Sequence, residues 1–141
     1  MSAKGPAKAP CRSCPYRRDV PSGVWHESEY DKLPGYDGDT SEQLMAGAMG
    51  AFYCHQNDGR LCAGWVGCHD MNESLGLRFA VRLGHITPRE WEEALDYVSS
   101  VPLFGSGAEA AAHGRAEIEQ PGAQARRTID RLTRKLQTDS E

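Results

Sequence analysis

Cysteine spacing constrains this chain more than any other feature. Cys11 and Cys14 form a C-x2-C pair, and a distant second group follows: Cys54-His55, Cys62 and Cys68-His69. Two intervening residues let a chain turn so that both sulfurs face one ion, with backbone N–H groups left to bond the thiolates. A short chelating pair plus a distant second group is the usual plan of a structural zinc or iron–sulfur site. The long connection is acceptable because closure entropy grows slowly with loop length. Five is an odd number of thiols and fits a disulfide framework poorly. The start, MSAKGPAKAP, has no apolar h-region, so no secretory signal is expected. The expected compartment is the cytoplasm, where thiols stay reduced.

Tetrahedral zinc needs four ligands, and there are more candidates than that. AFYC (51–54) is the best strand candidate. If the strand continues through residue 55, Cys54 and His55 point to opposite faces, and only one can meet the ion. Thiolate suits the other two thiolates better, which selects Cys54. Cys62 follows the Asn57-Asp58-Gly59 turn, which can return it to Cys54. The expected set is therefore Cys11, Cys14, Cys54 and Cys62. His55, Cys68, His69 and His26 are the alternatives, or groups that support the ligands. Zinc is the preferred ion. An iron–sulfur cluster is the alternative, since Pro15 directly after Cys14 also suits a cluster cysteine. Trp25, Trp65, Tyr16 and Phe52 could wall either site from water.

The rest of the composition agrees with a stapled fold. Hydrophobic residues are 39% of 141, and 15 Gly and 8 Pro demand many turns, so apolar burial alone makes a thin core. The expected class is small, loop-rich α+β. Residues 1–10 read as a disordered tail, 11–103 as the metal-binding domain, 104–121 as a Gly/Ala-rich linker and 122–138 as a basic amphipathic helix. Short helices are expected near 27–33, from a Thr40/Gln43 capping box to about Gly47, and from near Asn72 to Gly84. Thr87-Pro88-Arg89-Glu90 predicts another helix, with Trp91, Ala94, Leu95 and Val98 repeating at helical spacing. The last helix shows a narrow stripe of Ile129, Leu132 and Leu136, and so reads as a weakly docked appendage. His85 and His113 carry no chemistry in this reading.

The net charge of -4 is uneven. Residues 1–18 hold Lys4, Lys8, Arg12, Arg17 and Arg18 and no acid, whereas 19–60 are strongly acidic. Arg17, Arg18 and the basic final helix are candidate surfaces for an acidic protein or nucleic acid. No apolar run approaches a membrane span.

CRSCPYRRDVPSGVWHESEYDKLPGYD followed by FYCHQNDGRLCAGWVGCHD resembles an uncharacterised family of actinobacteria and their phages. The pattern is C-x2-C-P-[YW]-R-R, W-x3-E-[YF], F-x-C-H and C-A-G-W. It is matched by Cys11, Cys14, Pro15, Tyr16, Arg17, Arg18, Trp25, Cys54, His55, Cys62, Ala63, Gly64 and Trp65. The resemblance covers roughly residues 11–85 and implies no activity. Cys68 and His69 lie outside the pattern, which favours Cys54 and Cys62 as ligands.

Three functions compete at this point: a metal-stapled binding module, an iron–sulfur redox or regulatory protein, and a metal-dependent enzyme. An enzyme would need an open metal position with His55 or His69 near an activated water and Glu27 or Asp70 as base. No H-E-x-x-H, P-loop, nucleophile elbow or dinucleotide fingerprint is present, which makes the enzyme the least supported of the three.

Overall fold

The computed structural model describes residues 4–54 and 59–140. Among them the order is β1 (Lys4–Pro6), α1 (Glu27–Asp31), α2 (Thr40–Met45), β2 (Arg60–Leu61), α3 (Ala63–Cys68), α4 (Leu75–Arg82), α5 (Pro88–Asp96), α6 (Gly107–Arg115) and α7 (Ala123–Ser140). Short 3-10 turns lie at Leu33–Tyr36 and Met71–Glu73. This is a small α+β domain carrying a C-terminal helix.

The backbone ribbon that presents the second cysteine group is short. Cys54 N–H donates to Arg60 O at 2.9 Å and Cys62 N–H to Phe52 O at 2.8 Å, so 52–54 and 60–62 run antiparallel. Phe52 and Cys54 are buried while Tyr53 is more exposed, the alternation of a strand. β1 joins the other edge of β2 in parallel. The expected strand at 51–54 is thus present as one limb of a bridge. The Asn57-Asp58 part of the turn and His55 lie outside the described residues.

Residues 4–10 are not a free tail. Gly5 N–H donates to Glu90 Oε2 at 3.0 Å, Ala7 N–H to Leu61 O at 3.3 Å, and Tyr97 O–H to Lys8 O at 3.2 Å. The segment has little to bury, so composition made it a tail. Main-chain hydrogen bonds, which composition does not register, tie it to β2 and α5.

The expected linker is likewise structured. α6 packs on α1 and on the Leu33–Tyr36 turn, burying Ala110, Ala111 and Gly114. A Cβ at Gly114 would collide with the Tyr30 ring, and one at Gly107 with Leu33 O. The small residues that read as flexibility are there for close approach. Asp37 caps the helix, accepting from Gly107 N at 2.7 Å and Ala108 N at 2.9 Å.

Cap positions are mostly close to expectation. Thr87 and Glu90 form their capping box at 3.1 and 2.9 Å. The box expected at Thr40 belongs instead to Asp39 and Glu42, one residue earlier. Val98 lies beyond α5 and is 84% exposed, so it does not extend that helix's apolar stripe. The core is centred on Tyr16, Leu33, Phe52, Leu61, Trp65, Leu77 and Ile86. A separate small group, Val20, Val24 and Ala125 with Trp25, Ile129 and Leu132 against it, seats α7 on the 20–25 segment.

Candidate metal centre

The C-x2-C turn is built by Cys14 N–H donating to Cys11 O at 3.0 Å and Arg17 N–H to Cys14 O at 3.1 Å. Trp25 Nε1 donates to Ser13 O at 2.7 Å and pins the turn from outside. The antiparallel ribbon then brings Cys54 and Cys62 to it. Cys14 Sγ and Cys62 Sγ are 4.0 Å apart, and Cys11 hydrogen-bonds both Cys14 and Cys54. The four thiols form one run in the order Cys54, Cys11, Cys14, Cys62. Cys14, Cys54 and Cys62 are buried, and Cys11 is half-buried.

This proximity unequalises the thiols. Hydrogen bonds from Cys14, then Cys54, hold Cys11 far below the ordinary thiol range, against the opposing effect of burial. Its bond with Cys11, then that with Cys62, then burial, drives Cys14 well above that range. Hydrogen bonding between these thiols thus favours the charged form of Cys11 and the neutral form of Cys14.

The space around Cys14 is made by Gly64. A Cβ there would collide with Cys14 Sγ and stand 2.9 Å from Tyr16 Cβ. Tyr16, fully buried, meets Phe52 edge-on at 6.0 Å, and Tyr36 meets Phe52 and Trp65 at 5.6 and 5.9 Å. The expected aromatic wall is thus Tyr16, Phe52 and Trp65 with Tyr36 added, while Trp25 acts through its indole N–H.

As a test of fit, four thiolates at about 2.3 Å from zinc would stand roughly 3.8 Å apart along each tetrahedral edge. The 4.0 Å between Cys14 and Cys62 is close to that edge. Taken whole, however, no group of three or more His, Cys, Asp or Glu among the described residues is arranged to hold an ion. The sulfurs are linked pairwise as hydrogen-bonded thiols, which is a different packing from convergence on one point. The donor types fit zinc or an iron–sulfur cluster, and closure around either would have to come with binding.

The other candidates are elsewhere. Burial, then the charge of Asp37, pushes the Cys68 thiol up to about 12, and Cys68 is outside the run of four. His26 caps α1, its Nδ1 accepting from Ser28 N at 3.1 Å, which explains its position without a metal. His69 is a framework group, with Nδ1 2.8 Å from Trp65 O and Nε2 2.9 Å from Asp37 Oδ1. Asp70 caps the Met71–Glu73 turn through Asn72 N. His113, expected to carry no signal, fastens α6 to the chain through Val20 O at 2.7 Å and packs against Phe104.

Of the expected basic surface, Arg17 is largely covered whereas Arg18 stays half-exposed. Arg17 pairs with Asp19 at 2.7 Å, bonds Pro10 O, and is only 16% exposed. Arg18 donates to Leu103 O at 2.8 Å and lies over the Phe104 ring. The Arg18 guanidinium braces the main-chain pairing of residues 16–18 with 102–104, while that of Arg17 ties Asp19 to Pro10 O. Sequence reasoning missed Ser13 and Asp37, and it named Gly64 only as part of the C-A-G-W pattern, without its role beside Cys14.

A small α+β domain with a buried run of thiols defines a class rather than an activity. The chain belongs to a family of unknown function, DUF6283, whose model matches residues 6–131. No curated protein and no solved structure matches it. No helix among the described residues is long and apolar enough to cross a membrane.

Proposed function

We propose that this chain is a small metal-binding module in which Cys11, Cys14, Cys54 and Cys62 hold a structural zinc ion. One observation carries the reading: thiols from two distant parts of the sequence are gathered into a single buried run beside an aromatic wall. Gathering four thiols, three of them buried, is an unusual use of a thin core unless they serve one purpose. When bound, zinc would supply folding energy, because the ligands must be deprotonated and held together. The absence of a side chain at Gly64 leaves room for the Cys14 sulfur. The C-x2-C-P-Y-R-R and C-A-G-W pattern is on this reading the signature of a family spread among actinobacteria and their phages, and the working compartment is the cytoplasm. The module serves binding or regulation. An acidic protein or nucleic acid remains the candidate partner for the basic face of α7.

An iron–sulfur cluster is the second reading, favoured by Pro15 after Cys14 and by the same four thiols. Purification without chelator, followed by elemental analysis and an absorption spectrum, decides between them. A colourless protein with one equivalent of zinc is expected. A brown protein with iron and sulfide would replace zinc by the cluster. A folded protein without either would overturn the metal reading.

A further inference from the structure

Cys11 is the entrance to the run of thiols. Cys14, Cys54 and Cys62 are buried, whereas Cys11 is half-buried and lies on the wall of a cavity of about 330 Å³ between the C-x2-C turn and α7. It is the one member of the run on that wall among the described residues. Behind it the contacts run in pairs: Cys11 bonds Cys14 and Cys54, and Cys14 Sγ stands 4.0 Å from Cys62 Sγ. A disulfide holds its sulfurs at about 2.05 Å, so this last pair closes with a movement of about 2 Å, within reach of side-chain rotation. Gly64, with no side chain, leaves the Cys14 sulfur room for it.

We propose that the run is a peroxide-sensitive staple that exchanges its metal for two disulfides, Cys11–Cys54 and Cys14–Cys62. The Cys11 sulfur attacks one oxygen of hydrogen peroxide, the O–O bond breaks, and a sulfenic acid and water result. Cys14 attacks the sulfenic sulfur, which forms Cys11–Cys14 and expels a second water. Cys62 then attacks Cys14, which moves the disulfide inward to Cys14–Cys62 and returns Cys11 as a thiol. A second peroxide oxidises Cys11 again, and Cys54 closes the second bridge. Four thiols and two peroxides thus give two disulfides and four waters, and each bond forms between sulfurs already in contact. A disulfide sulfur is no longer a thiolate ligand, so the ion is released. Stopping at Cys11–Cys14 would leave Cys54 and Cys62 at opposite ends of the run. The final bridges instead tie the N-terminal turn to the 52–62 ribbon and close long loops, which constrains the unfolded chain more than a C-x2-C loop does. Transient bridges of this kind suit a reducing compartment. The same four thiols carry this switch and the metal reading, and the switch does not depend on which ion they hold.

The test uses the full chain as purified, with its metal content measured first. Hydrogen peroxide is added stepwise to a slight excess over two equivalents, remaining thiols are alkylated, and the unreduced protein is mapped by mass spectrometry. Trypsin cuts after Arg12, Arg17 and Arg60, so the four cysteines of the run fall on separate peptides. Cys14–Cys62 should appear before Cys11–Cys54, and both bridges should be present at the end, with Cys68 alkylated, all metal released and the change reversed by a dithiol reductant. The oxidised, metal-free chain should keep a cooperative urea transition, at a higher midpoint than the reduced, metal-free chain. A map ending in Cys11–Cys14, a bridge to Cys68, sulfinic acid at Cys11 in place of bridges, no bridge at all, or the reverse order of appearance would overturn the proposal. Zinc at the start followed by any of those outcomes leaves the metal reading intact. A chain without metal at the start that forms both bridges in the expected order retains the switch and loses the metal reading alone.

Discussion

Asp37 Oδ1 stands 2.9 Å from His69 Nε2, and the same carboxylate caps α6 through Gly107 and Ala108. One side chain thus ties the Leu33–Tyr36 turn, the end of α3 and the start of α6 together. His69 is itself fixed to Trp65 O, so the ion-pair geometry reaches the aromatic wall of the thiol site. Replacing Asp37 by Ala removes a cap and leaves a mostly buried imidazole without its partner. The expected loss is about 2–3 kcal/mol in urea unfolding. Glu92→Ala, on an exposed part of α5, should stay within about 0.5 kcal/mol. A near-neutral Asp37→Ala would show that the contact does not support the fold.

Gly64→Ala tests the gap beside Cys14. Alanine should favour the helix by up to about 1 kcal/mol, yet its methyl has no room against Cys14 Sγ and Tyr16. Overpacking should dominate, with a net loss of about 1–3 kcal/mol and reduced metal content. Gly122→Ala meets nothing within 4 Å and is the matched control. Equal melting temperatures and equal metal content for the two variants would contradict the packing argument.

These two residues mark what the sequence disclosed and what it hid. The Cys spacing pointed to a run of thiols because ligand geometry is local and chemically distinctive. Thr87-Pro88 announced α5 for the same local reason. Asp37 looked like one acid in a solvated acidic stretch, because its partners lie about 30 and 70 residues further along the chain. α6 looked like a linker because Gly and Ala serve both flexible chain and close helix packing, and only the Tyr30 ring beside Gly114 separates the two meanings. β1 was hidden because main-chain bonds hold it.

Cys14→Ser should cost more stability than Cys68→Ser. Loss of a ligand removes metal-binding energy that is also folding energy. Loss of the Cys68 thiol removes a half-buried group outside the run of four. Metal stoichiometry and melting temperature, measured side by side, check this. Metal retention by Cys14→Ser together with loss in Cys68→Ser would move the fourth ligand.

Stability should fall at alkaline pH. Burial raises Cys68 to about 12 and raises Tyr30 above its ordinary value. Both are acids whose folded form holds its proton more tightly than the unfolded chain does. Their contribution is whole below the unfolded values, near 9 for the thiol and 10 for the phenol, and is lost as pH rises beyond them. For Cys68 alone the decline should be on the order of 1 kcal/mol per pH unit between about 9 and 12. Urea midpoints for the parent and Cys68→Ala across this range give the check. Parallel curves would show that the buried thiol plays no part.

Two truncations separate the body from its last helix. A cut after Gly107 removes α6, and with it Ala110, Ala111 and Gly114 from the core and the partners of Ser22 and Gly23. That chain should fail to fold cooperatively, so the body extends past residue 103 to the end of α6. A cut after Gly122 removes only α7, whose described contacts with the body centre on Ala125 against Val20 and Val24, with Trp25, Ile129 and Leu132 beside them. Burial on that scale contributes a few kcal/mol at most. The shorter chain should therefore keep a cooperative transition and its metal, at a lower urea midpoint. If the cut after Gly122 also abolishes the transition, α7 is part of the core rather than a wall placed against it. If the cut after Gly107 leaves the transition intact, α6 is the dispensable element and the packing of Gly114 on Tyr30 does not hold the fold.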